Sequence, residues 1–186
     1  MNPLPPEVWN RGLPYASYRR TIRRNGKTFD EVFRDPAYTD EDLELLRKLP
    51  PLRVLAIGED WCPDVYHTLP TWVRVAEKIP GWELRIFPRD ANLDLMNHFL
   101  WKRENQRIPV YAFYDEDDRL QTWWSGRGAL AQRALDEALA GRAFASLPPE
   151  ERKRISEVTE EGYRREFRRA NFAEILRLLG AFFHLE

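Results

Sequence analysis

Glu59-Asp60-Trp61-Cys62-Pro63-Asp64-Val65 stands where a buried strand gives way to a helix, and this stretch decides the fold. Before it, residues 52–58 form a short apolar run with β-branched members, bounded by Pro50-Pro51 and by Gly58-Glu59-Asp60. That is the pattern of a strand buried on both faces. After it, residues 63–79 read as one helix with Leu69, Trp72, Val73 and Ala76 along a single face and a kink at Pro70. Cys62 therefore falls at a helix N-terminus. Unpaired backbone N-H groups and the positive end of the helix macrodipole both favour thiolate over thiol there.

Working outward, Thr39-Asp40-Glu41-Asp42 is a helix start with acids in the first turn, and Leu43, Leu45, Leu46 and Leu49 follow until the prolines stop it. Residues 82–87 alternate like a strand, 93–103 read as a helix and 108–114 as a third strand. Asp115-Glu116-Asp117-Asp118 is a tight acidic turn, 120–124 a fourth strand paired antiparallel across it, and 129–139 a helix ending near Gly141. The order strand, helix, strand, helix, strand, strand, helix predicts an α/β fold with a central mixed four-stranded sheet flanked by helices. Residues 1–38, rich in Pro and Arg and without a sustained period, are expected to be an arm laid over the core. Residues 39–145 are the domain proper. Residues 146–186 form a helical extension whose Phe172, Ile175, Leu176, Leu179, Phe182 and Phe183 recur at helical spacing, so it should dock on the core or on a second subunit.

With Trp61-Cys62 at a strand-to-helix join, the chain resembles the thioredoxin-like superfamily, whose redox site is Trp-Cys-x-x-Cys in that position. A second match is Arg107-Ile108-Pro109-Val110 at the start of the third strand. The resemblance implies that Pro109 is the family's cis proline, facing Cys62 and lining a substrate groove with Trp61, Pro63, Asp64 and Ile108. Glu-Asp-Trp-Cys followed by Pro and Asp, with Arg-Ile-Pro downstream, is similar to a bacterial group that keeps the first cysteine only. Two family positions are replaced. Val65 stands where the second cysteine would be, and Ala56 where dithiol thioredoxins place a buried aspartate. Val65 cannot attack a mixed disulfide, so any exchange needs an external resolving thiol, of low molecular weight or on a protein.

The chain has 186 residues, 43% hydrophobic and 13% aromatic, enough for one self-sufficient core. A single cysteine excludes an internal disulfide framework and a multi-cysteine zinc site, and His67, His98 and His184 are too widely spaced to suggest another metal. No cofactor is implied. The net charge of −1 argues against nucleic acid or an anionic membrane as the main ligand, and Arg19-Arg20-Thr21-Ile22-Arg23-Arg24 and Tyr163-Arg164-Arg165-Glu166-Phe167-Arg168-Arg169 read better as salt-bridged solvated faces. The longest apolar runs are too short to span a bilayer and the first residues lack a signal-peptide pattern, so a cytoplasmic location is expected. With 24 Arg against 5 Lys, 14 Pro and 3 Gln, the composition suits a high-GC genome or heat stability, and Pro and Gln lean to the second.

Two functions follow as expectations: a monothiol thioredoxin-like protein that forms mixed disulfides through Cys62, or a redox-inactive thioredoxin-fold binding or scaffolding module. For Cys62 the choice is between a reactive thiol and a small buried hydrophobe. Glu59, Asp60 and Asp64 would raise its pKa while the helix terminus lowers it, and Asp64 would compete for the same N-H groups if it capped the helix. His67, one turn on, is placed to serve as a proton donor but reads better as a half-exposed helical histidine with no catalytic role. Trp123-Trp124 should place one ring in the core and one outside.

Overall fold

A computed structural model describes residues 2–185; Met1 and Glu186, the outer ends of the expected arm and extension, lie outside the described residues. The N-terminal segment contains three short helices, α1 (Pro6–Trp9), α2 (Tyr15–Thr21) and α3 (Gly26–Arg34). The arm is thus largely helical, against the aperiodic segment expected. Its anchors are spread over several short elements, so no single window shows a period; Leu4, Trp9, Tyr18, Phe29 and Val32 are nonetheless buried. Helix α4 (Asp40–Leu46) opens with a full capping box, Thr39 and Asp42 each accepting the other's backbone N-H.

Strand β1 (Arg53–Gly58) follows, then α5 (Pro63–Tyr66) and α6 (Leu69–Lys78), β2 (Glu83–Pro88), α7 (Leu93–Met96), and a small hairpin of β3 (Leu100–Trp101) and β4 (Asn105–Gln106). Strands β5 (Val110–Tyr114) and β6 (Leu120–Ser125) and helix α8 (Ala129–Leu139) complete the sheet layer. The extension is α9 (Pro149–Gly162), a π turn (Tyr163–Phe167) and α10 (Arg168–Phe183).

The main sheet runs β2-β1-β5-β6, with β1 parallel to β2 and antiparallel to β5, and β5 antiparallel to β6. This is the mixed four-stranded α/β fold expected. The two central strands are almost wholly buried because helices cover both faces. Trp72, Phe113 and Phe172 meet on one face, which ties α6 and α10 to the sheet. Each such side chain contributes about 1.5–3 kcal/mol of burial. In α10, Phe172, Ile175 and Leu179 join the main core, so the extension docks on the chain's own domain.

Three local expectations are corrected. The helix expected over 63–79 is two helices: Thr68 leaves helical geometry at φ −122°, ψ −37°, and α6 restarts with Pro70 in its first turn, where a missing N-H does no harm. The helix expected over 93–103 stops at Met96. Lys102 and Arg103, both at positive φ, turn the chain into the β3-β4 hairpin, and Arg107 stacks on Trp101 at 3.5 Å from the ring centroid. Finally, neither Trp123 nor Trp124 is left outside. Trp124 stacks on Tyr111 and donates to Glu174 at 2.9 Å under the extension, while Trp123 meets Phe99 on the opposite face.

Candidate functional site

Cys62 is the last residue before α5, in extended geometry at φ −90°, ψ 120°, and the Ile108–Pro109 peptide facing it is cis. The two sequence motifs are therefore brought together. The Cys62 thiol donates to the Ile108 carbonyl at 3.7 Å and is only 7% exposed. Because the chain breaks at Thr68, the helix behind Cys62 is one turn long. Its aligned peptides are too few to supply the macrodipole expected of residues 63–79. Burial, followed by the Asp64 charge, pushes the thiol up to about 12, and the N-H groups of Val65 and Asp64 and the charge of Arg127 only partly oppose that rise.

Asp64 behaves in neither of the ways its sequence position suggested. It is buried, and its carboxylate neither faces solvent nor caps α5. Arg127, in the Gly126-Arg127-Gly128 loop after β6, binds it bidentately at 2.9 and 2.8 Å, and the Tyr163 hydroxyl donates to the same carboxylate. Two bonds from a planar guanidinium fix orientation as well as charge. Beside them Glu160 accepts from Tyr66 and pairs with His67 at 2.9 Å, and His67 stacks on Tyr163 with centroids 4.5 Å apart. His67 is thus buried at 3% exposure, not half-exposed. Through Glu160 and Tyr163 the C-terminal extension grips the segment that carries Cys62 at three side chains, Asp64, Tyr66 and His67.

The two positions expected to be replaced, Val65 and Ala56, are both packed in the core. Val65 is fully buried, and a Cβ on Gly58 would lie 2.7 Å from Val65 Cγ1, so valine occupies the volume under the loop. Ala56 is buried between Ile86 and Tyr111 in the sheet register. The Tyr111 hydroxyl pairs with Thr68 at 2.7 Å, and Thr68 donates to the Asp64 carbonyl.

The expected groove residues separate. Ile108 and Asp64 line a cavity of about 260 Å³ with Arg107 and Arg127, and Pro109 is buried. Trp61, 42% exposed, lines a different cavity of about 440 Å³ against the N-terminal segment. Pro63 is half-buried between them in sequence. That N-terminal contact is held by Asp60, which accepts from the backbone N-H of Arg23 and Arg24 at 2.6 and 3.0 Å; Asn25 donates to its carbonyl at 2.7 Å. Glu59 accepts from the Asp90 N-H, and burial raises its pKa. Arg127, Tyr163 and Glu160 carry no motif that marks them; the only hint is a Gly-Arg-Gly loop placed between a strand and a helix. Among the described residues no group of three or more His, Cys, Asp or Glu is arranged to hold a metal ion, and no helix is long and apolar enough to cross a membrane.

A mixed sheet with a lone cysteine before a helix and a cis proline facing it defines a protein of the thioredoxin fold. A family model described as Thioredoxin matches residues 13–139, and the chain belongs to that family. The match begins within the N-terminal segment and takes in α2 and α3. Among solved structures, the chain is similar to an HIV epitope-scaffold, at 18% identity and a TM-score of 0.62, covering 94% of this chain and 96% of that one. It is also similar to a protein of unknown function from Pseudomonas aeruginosa, at 17% identity and a TM-score of 0.60, with the same coverages. These two likenesses show the fold. No curated protein matches the chain.

Proposed function

We propose that this thioredoxin-family chain is a redox-inactive binding module in which Cys62 is a packed, neutral thiol. One observation carries the reading: the thiol is buried, spends its proton on the Ile108 carbonyl, and is driven toward the neutral form by its surroundings. The nucleophile in thiol-disulfide exchange is the thiolate, so such a group is poorly suited to attack. Val65 and Ala56 support the same reading, since both family positions that move electrons and protons hold tightly packed apolar side chains. The test is incubation with oxidised glutathione at neutral pH, followed by intact mass. A binding module keeps Cys62 free, and its Cys62→Ser variant folds and binds as the parent does.

The second reading, monothiol exchange, is favoured by the backbone N-H groups of Asp64 and Val65 that face the sulfur and by the position of Ile108-Pro109. In it, the Cys62 thiolate attacks a disulfide, one partner sulfur leaves as a thiolate, and a second external thiol releases the mixed disulfide. An adduct on Cys62 in the same experiment would favour it.

A further inference from the structure

The cavity beside Trp61 lies between the loop of Glu59 and Asp60 and the end of α2, where Tyr18, Arg23 and Arg24 line it. Its hydrogen-bonding groups divide unevenly. The acids have partners: Asp60 takes two backbone N-H groups and Glu59 takes one. The donors do not. The Tyr18 hydroxyl, on a side chain 2% exposed, has no hydrogen-bond partner, and it stands close enough to Glu59 and Asp60 to feel both charges without bonding to either. The exposed guanidinium groups of Arg23 and Arg24 have no acceptor among the described residues, although most other arginines nearby do, Arg19 being held bidentately by Asp30. A buried hydroxyl without a partner is uncommon in a folded protein and calls for an explanation.

Tyr18, Arg23 and Arg24 line a cavity of about 440 Å³, their side-chain donors have no acceptor among the described residues, and two of the three are cationic. A metal cation does not suit the site, because two arginines line it and one oxygen of each carboxylate is already held by backbone N-H groups. An exposed indole, Trp61, forms an apolar wall on the same cavity. We propose that this cavity binds a small organic oxyanion, a carboxylate or phosphate held by Arg23, Arg24 and the Tyr18 hydroxyl, with its carbon body against Trp61. Guanidinium groups recognise both oxyanions by paired, charge-assisted hydrogen bonds. The cavity adjoins Cys62 through Trp61 and Tyr18, but Cys62 is not among the residues that line it.

Phenyl phosphate and benzoate are the probes, titrated into the full chain at constant ionic strength while the amide signals of Arg23 and Arg24 and the Trp61 indole signal are followed by NMR, with chloride as the control. At least one probe should bind saturably and move those signals, and the tighter of the two identifies the oxyanion. Arg23→Gln with Arg24→Gln, both exposed positions, should weaken binding about tenfold or more, and Tyr18→Phe severalfold. The glutathione experiment reads Cys62 by intact mass and this titration reads the cavity by its own signals, which separates failure here from failure of the binding-module reading. Saturation weaker than about 10 mM for both probes, equal response to chloride, or unaltered affinity in the double arginine variant would overturn the proposal.

Discussion

Tyr163, in the π turn of the extension, donates its hydroxyl to the carboxylate of Asp64, 99 positions earlier and two residues after Cys62. A π turn shifts a helix's side chains by one residue, and here it aims Tyr163 inward while Arg164 and Arg165 remain exposed. Arg127 completes the arrangement from the other side. Removing one partner strands a buried charge, which costs more than the pair itself contributes. Arg127→Met should therefore destabilise the fold by about 3 kcal/mol, and Tyr163→Phe by about 1–2 kcal/mol, in urea unfolding.

Acid should loosen the same extension. Burial works against the charge of Glu160, yet hydrogen bonds from His67 and Tyr66 hold its pKa below the usual carboxylate value. Asp42 likewise is lowered despite burial, by Arg169 and the Thr39 N-H. A carboxyl whose folded pKa is depressed contributes stability that is present above its unfolded pKa, roughly 4, and is lost as pH falls through the folded value. Melting temperatures measured from pH 7 downward should fall below about pH 5, and Glu160→Gln should flatten that limb.

Val65 explains a glycine. A methyl on Gly58 would press on both Val65 γ-carbons, so Gly58→Ala should cost about 1–3 kcal/mol. The strain belongs to a pair, so Val65→Ala should relieve part of it, and a double-mutant cycle would read the coupling.

Asp60 holds the N-terminal segment by the backbone N-H groups of Arg23 and Arg24. Asp60→Ala should accelerate hydrogen exchange at those two amides while leaving β1 and β5 protected. Equal loss of protection in the strands would mean that the contact supports the whole fold.

Much of this architecture is legible in the sequence because its signals are local. The run from Val54 to Ile57 reads as a buried strand, Thr39-Asp40-Glu41-Asp42 as a capped helix start, and Trp61-Cys62 with Ile108-Pro109 as one site. What escapes is non-local or spread over short elements. The hairpin after Met96 depends on Lys102 and Arg103 accepting positive φ and on Arg107 stacking over Trp101, neither visible in a helical period. The electrostatics of Cys62 escape for a sharper reason. Position implied a helix dipole, but Thr68 cuts that helix to one turn, and the partners that bury Asp64 come from residues 127 and 163.

A neutral, shielded thiol at Cys62 sets this chain apart from a redox-active thioredoxin. Its most direct test is the rate of iodoacetamide alkylation of the native chain, followed by mass across a series from about pH 6 to about pH 10. A buried, neutral Cys62 should be modified slowly at neutral pH, with a reactivity midpoint above the free-cysteine value of about 8.5 and no plateau reached in the series. Rapid modification with a midpoint at or below about 7 would contradict it and restore Cys62 as a nucleophile.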